Sequence, residues 1–351
     1  MSNRLCFAHH HIFCYSTVNT RQEVYAQRPQ DNNKSKNRMA EKVDINIEKI
    51  TKWIQDEKCI LILGPDIVFD CQKSLLNELS SFLINNEIEC KFDAYDELFS
   101  SNTDFDYNFW DYFSEFFDKI LPQPIYQKIA EIPFNLIISL SPDLLIKQIF
   151  EKNNFDFTFD YYNRNLNPQE INEPTKEKPL IYNILGNYKE FDSAVLCFQD
   201  VYNYLSAILG MYQLSQKLKR KISISKSVLF LGFRFDKWYF KLILQLLNLD
   251  VKAIKQASVQ ELKNFANEPQ KQNLIVDFYQ NEFKILFIKQ EGNEIIDLLH
   301  NYYKQNDLLR KPRKDKQIAQ QITNIINVND STDVTILQNV DANNLNINKD
   351  I

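Results

Sequence analysis

Four aspartates stand where chemistry could be done. Asp66, Asp143, Asp200 and Asp236 occur in the contexts Leu-Gly-Pro-Asp, Leu-Ser-Pro-Asp, Cys-Phe-Gln-Asp and Gly-Phe-Arg-Phe-Asp, each just past a short apolar run. A carboxylate held in a cleft can activate water as a general base. The same side chain at the start of a helix accepts backbone N–H groups instead, and Asp143 and Asp236, the latter before Trp238, also fit that role. Groups able to trade a proton with them are scarce. Three of the four histidines are His9, His10 and His11, which leaves His300 as the one imidazole beyond the first stretch of the chain. With Cys6 and Cys14 those three histidines form a cluster of donors suited to a metal, but they sit in a leader without a surrounding core. Six cysteines with no Cys-x-x-Cys pair argue against a zinc ribbon. They suit reduced thiols in the cytoplasm.

Composition sets the frame around these groups. Of the 351 residues 44% are hydrophobic and 25% charged, enough apolar surface for a substantial core, which excludes a chain disordered throughout. The net charge of −5 gives no reason to expect nucleic acid as a partner. No apolar run approaches the roughly 20 residues that cross a bilayer, so no membrane is expected. There are only five glycines, and three of them, Gly64, Gly186 and Gly232, close apolar runs.

Those runs are the elements that must position the site. Residues 59–63, 134–140, 180–185, 194–198 and 228–232 read as buried strands, and 251–254 and 283–288 as later ones. Helical spacing marks 124–130, 142–151, 201–217, 238–247 and 294–303. Strand and helix in alternation predict an α/β fold, Rossmann-like, with a mostly parallel sheet and helices on both faces. The acidic, aromatic stretch 92–118 predicts helical packing in a small cap subdomain, assigned to 92–130. The expected organisation is therefore a disordered leader over 1–38, one α/β domain over 39–303, a solvated basic linker over 304–320, and an Asn-rich tail over 321–351. Alternation such as Val334-Thr335-Ile336 suits β-pairing in that tail, through which the chain would recruit a protein partner or assemble with itself. A plain disordered tail is the other reading.

Four ordered segments resemble the sirtuin-like (Sir2-type) domains common in bacterial conflict and antiphage systems. Ile62-Leu63-Gly64-Pro65-Asp66 stands in the place of that family's Gly-Ala-Gly loop. Ile138-Ser139-Leu140-Ser141-Pro142-Asp143 takes the place of Thr-x-Asn-x-Asp, and Asn183-Ile184-Leu185-Gly186 that of Lys-Leu-His-Gly. The last of these is followed by Val195 to Tyr202, which resembles Val-Leu-Thr-x-x-Asp-Tyr. The fourth, Leu229 to Asp236, resembles Leu-x-Gly-x-Ser-x-x-Asp.

The resemblance implies NAD or ADP-ribose as ligand, with no zinc. It places Gly64, Pro65, Asp66, Ser139, Gly186, Asp200, Gly232, Arg234 and Asp236 around the cofactor. Ser141 and Asp143 would be the catalytic pair if the chain is active. Three departures weigh against activity. Ser141 replaces the family's Asn, and Leu185 replaces its His, leaving a side chain that can neither accept nor donate a proton. Asp66 replaces the second Gly of the phosphate loop. An anion about 4 Å from a phosphate costs about 4 kcal/mol at an effective dielectric of about 20, unless Arg234 neutralises it in a collapsed pocket. The sequence therefore leads to a catalytically degenerate module that senses a nucleotide or docks a partner, with an NAD+ glycohydrolase acting in antiphage defence as the alternative.

Overall fold

The computed structural model describes residues 46–69, 73–100, 105–233, 235–247, 254–258, 269–288 and 291–313. The leader 1–38 with its Cys/His cluster, Arg234, most of the strand expected at 251–254, and the tail 321–351 lie outside the described residues.

Two strands and their crossovers fix the centre of the molecule. Strand β1 (Cys59–Leu63) is apolar throughout and buried at every position, as a strand covered on both faces must be. It pairs in parallel with β4 (Leu136–Ser139) on one side and β7 (Ser227–Leu231) on the other. Outward from β4 come β6 (Leu180–Asn183) and then β5 (Thr158–Tyr161). Outward from β7 come β8 (Ile254–Ser258) and β9 (Ile285–Ile288). The order is β5-β6-β4-β1-β7-β8-β9, and every pairing is parallel. The fold is therefore Rossmann-like α/β, as the alternation predicts. The chain runs leftward from β1 and later returns to its right, so the topological switch lies at β1 and β7, where such sheets bind ligands beyond their carboxyl ends.

Alternate residues of each strand feed two separate cores, which is the period-2 consequence of the pleat. Leu61, Leu63, Ile137, Ile181 and Leu229 face one layer of helices. That layer holds α1 (Ile47–Gln55), α2 (Leu75–Asn85), α3 (Tyr107–Lys119), α4 (Pro124–Glu131), α5 (Leu145–Lys152) and, from the far end of the chain, α10 (Gly292–Gln305). Ile60, Ile62, Leu136, Ile138, Val228 and Phe230 face the other layer. It is built by α6 (Phe198–Leu209), α7 (Gln216–Ser223), α8 (Trp238–Leu246) and α9 (Pro269–Glu282).

The structure corrects four expectations. Residues 194–198 are not a strand. Phe99 and Cys197 form one isolated bridge, and the chain then enters α6, whose first turn closes a capping box between Cys197 and Asp200. The helix expected over 201–217 is two, α6 and α7, because Gly210 ends the first and Ser215 caps the second. The stretch 92–118 is not all helical. It opens with a hairpin of β2 (Lys91–Asp93) and β3 (Leu98–Ser100) before α3, and Phe99, Phe113 and Phe117 share one core with β1. Finally, the described part of 304–320 is exposed at most positions, as a solvated linker would be, but Arg310 within it is buried. Its guanidinium donates to the carbonyls of Ala130 (3.0 Å), Ile132 (3.3 Å), Phe134 (2.8 Å) and Lys176. Burial lowers its pKa to about 10. Residues 306–313 thus strap the amino edge of the sheet. Among the described residues no helix is long and apolar enough to cross a membrane.

Candidate functional site

The glycine turns converge as expected, but they converge on each other. Gly64 N–H donates to the Leu231 carbonyl at 2.7 Å, and Asp66 N–H to that of Gly232 at 3.3 Å. A Cβ on Gly64 would stand 1.8 Å from the Gly232 oxygen. Gly232, at φ +64°, has Ile67 N 2.5 Å from where its own Cβ would be. These glycines therefore serve close contact of backbone with backbone, where a phosphate loop uses them for close contact with a ligand. Gly186 repeats the theme against Ser193, 2.2 Å from the site of its Cβ at φ +94°.

The carboxylates are also committed to the fold. Asp66 is buried, and its Oδ1 accepts the Leu75 N–H at 3.1 Å, in the first turn of α2. Beside it lies a group that sequence reasoning missed. Glu97, in left-handed conformation at the β2–β3 turn, accepts from Ser74 Oγ at 2.6 Å and Asn77 Nδ2 at 2.9 Å. Its other oxygen lies 3.7 Å from the Lys237 ammonium, and both side chains are 3% exposed. The amino end of α2, where a Rossmann fold would seat an anion, is thus flanked by two carboxylates of the chain itself. The only signal for this in the sequence was a Glu in a run of turn formers, Asp93-Ala94-Tyr95-Asp96-Glu97, whose Asp93 accepts the Tyr95 and Asp96 N–H groups.

Asp143 is buried, and its Oδ1 accepts the Leu145 N–H at 2.9 Å in a turn just ahead of α5, whose N-cap is Leu144 without a side-chain cap. Burial pushes its carboxyl above the ordinary range, against hydrogen bonds from Ser141 and Leu145. Ser139 Oγ and Ser141 bond each other across the same turn. Asn183 donates to the Asp143 carbonyl at 2.8 Å, while its buried Oδ1 has no partner. Asp200 is bonded at the start of α6. It accepts the Leu196 and Cys197 N–H groups at 3.1 Å each, and Arg164 at 2.7 Å. Asp236 does not cap α8, which begins at Lys237 without a side-chain cap; its Oδ2 lies 3.5 Å from the Lys237 ammonium. His300 pairs with Glu131, at the end of the helix that leads into the amino end of β4, so it lies on the wrong side of the sheet to serve the crevice.

What remains between these turns is small and apolar. Pro65, Leu75, Leu140, Pro142, Leu185 and Tyr239 are among the residues that wall a cavity of about 30 Å³. That is room for a water, against the several hundred Å³ of an ordinary cofactor pocket. The described residues therefore do not fit a dinucleotide: the first glycine packs against backbone, carboxylates stand at the helix end, and leucine stands where the resemblance puts the proton-transfer histidine. Among the described residues no group of three His, Cys, Asp or Glu could hold a metal ion.

No curated protein matches the chain. The family model described as the SIR2-like domain matches residues 135–295, from the threshold of β4 into α10, leaving out β1 and the Gly64–Asp66 turn. Such a domain makes NAD the cofactor to test. Over residues 135–295 the chain is similar to the SIR2-like domain.

Proposed function

We propose that this chain is a catalytically degenerate Sir2-like module of a prokaryotic defence system, which docks a partner through its surface and C-terminal segment and does not cleave NAD+. One observation carries the reading. The crevice at the switch point holds about 30 Å³ among apolar side chains, with Asp66 and Glu97 at the amino end of α2. A diphosphate arriving there would meet like charge and no volume. The defence setting rests on the resemblance of the four motif segments, and the docking role on the composition of the tail.

The alternative, an NAD+ glycohydrolase, draws on the end of β6. There a buried Asn183 oxygen lacks a partner, close to an Asp143 whose carboxyl is raised by burial, as a general acid requires. Nicotinamide release from NAD+ by the purified full chain decides between them. The degenerate module gives none above the uncatalysed rate. Turnover that disappears in Asp143→Asn would establish the hydrolase.

A further inference from the structure

Away from the crevice, the other helical layer is open. Leu205 and Leu209 of α6, Leu214 before α7, and Leu242 and Leu246 of α8 line a groove of about 320 Å³. Leu209 is 66% exposed and Leu242 41%. Lys219 stands on its rim, 2.7 Å from Gln213 Oε1. The rim is one-signed. Helix α7 carries Lys217, Lys219, Arg220 and Lys221, and neither α7 nor α8 has an acidic residue. The carboxylate of α6, Asp200, is held by Arg164, and Lys221 alone of the four α7 cations has a carboxylate within ion-pair distance among the described residues. A basic rim around an apolar groove, on a chain of net charge −5, calls for an acidic, aliphatic occupant.

The chain supplies such a segment. Residues 321–351 hold Asp330, Asp333, Asp341 and Asp350 against one lysine, among Ile322, Ile325, Ile336, Leu337, Val340 and Leu345. It also leaves from the right place. The strap ends at Arg313, held to the Asn154 carbonyl and to Asp156 at the amino edge of the sheet. On the same edge Arg310 bonds the Lys176 carbonyl, Lys176 N–H bonds Glu57, and Glu57 faces Lys221 of α7. Residues 314–320 give a reach of about 23 Å, roughly two helix diameters.

We propose that residues 321–351 dock, within the same chain, in the groove between α6 and α8, aspartates against the α7 cations. This builds on the docking role given to the segment above and names where it is held until a partner takes it.

Hydrogen exchange of the full chain tests it. Peptides from 321–351 should be protected, and Leu242→Asp should speed their exchange about tenfold without lowering the melting temperature. Lys219→Glu should do the same, and adding Asp330→Lys with Asp333→Lys should restore protection. Exchange of the segment at the unprotected rate in the unaltered chain would overturn the proposal. So would protection that ignores the groove variants, that grows with protein concentration (a second copy), or that needs vesicles of anionic lipid (a membrane). NAD+ turnover in the same samples reports only on the function proposed above, so the two fail separately.

Discussion

At the carboxyl ends of β1 and β4, Leu140 and Leu185 close with Pro65 and Pro142 on about 30 Å³. At the amino-edge side of the other layer, Leu205, Leu209, Leu242 and Leu246 stand apart around about 320 Å³. Both regions are lined mainly by apolar side chains, so hydrophobicity does not separate them. The difference lies in the backbone and charge behind them. The crevice is drawn shut by two glycine turns in mutual contact and by carboxylates satisfied within the fold. The groove is held by three helices whose cations on α7 mostly lack carboxylate partners among the described residues. A fold can thus keep its ligand-binding topology while the surface available for recognition moves to another layer.

The comparison can be broken from the crevice side first. Gly64→Ala puts a methyl carbon 1.8 Å from a carbonyl oxygen, so the cooperative unfolding transition should be lost. A transition like the parent's would mean that the turns are not in contact. Next, Lys237→Met removes the ammonium 3.7 Å from the buried Glu97 carboxylate and should cost about 3 kcal/mol in urea unfolding. Adding Glu97→Gln should recover much of it, whereas equal loss in the double variant would deny the pairing. Arg310→Ala leaves four carbonyls without their donor. It should cost about 3 kcal/mol, and Arg310→Lys, lacking the planar fork, should cost nearly as much.

Asp143→Asn should raise the melting temperature at neutral pH. Burial raises the folded pKa of Asp143 above the ordinary carboxylate value. The native state therefore binds its proton more tightly, and the parent loses stability as pH rises through that interval. The gain in the variant should vanish once pH falls below the ordinary carboxylate value, and a gain that persists there would contradict the burial penalty. Smallest of all, Leu242→Ser on the open rim should change stability by no more than about 0.5 kcal/mol. A large loss would show that Leu242 belongs to the packed core of the domain and not to the rim of a groove.

The parts of the fold that were legible in the sequence are those set by local apolar pattern. The five-residue run Cys59–Leu63 and its equivalents could be nothing but doubly covered strands, and the glycines that end them mark the switch point. Strand β5 was missed because Thr158–Tyr161 is half-buried at the sheet edge and carries Asp160 within it. The strand expected at 194–198 failed because an apolar run also serves to seat a helix start, and the deciding residue was Asp200, three positions on from Cys197. In the site, Leu185 and Asp66 are where the sequence departs from the family it resembles. What replaced it, the Glu97–Lys237 pair, joins residues 140 positions apart and has no local pattern. Arg310 is the same case: a basic residue in a polar stretch reads as solvated until the four carbonyls that receive it are known.

The central claim is that the switch-point crevice of this Rossmann-like sheet admits no dinucleotide. Calorimetric titration of the full chain with ADP-ribose, which carries the diphosphate and both riboses, tests it most directly. A titration without binding heat at millimolar ligand is the result expected here; a saturable isotherm, weakened when Gly64 or Asp66 is altered in a chain that still folds, would contradict it.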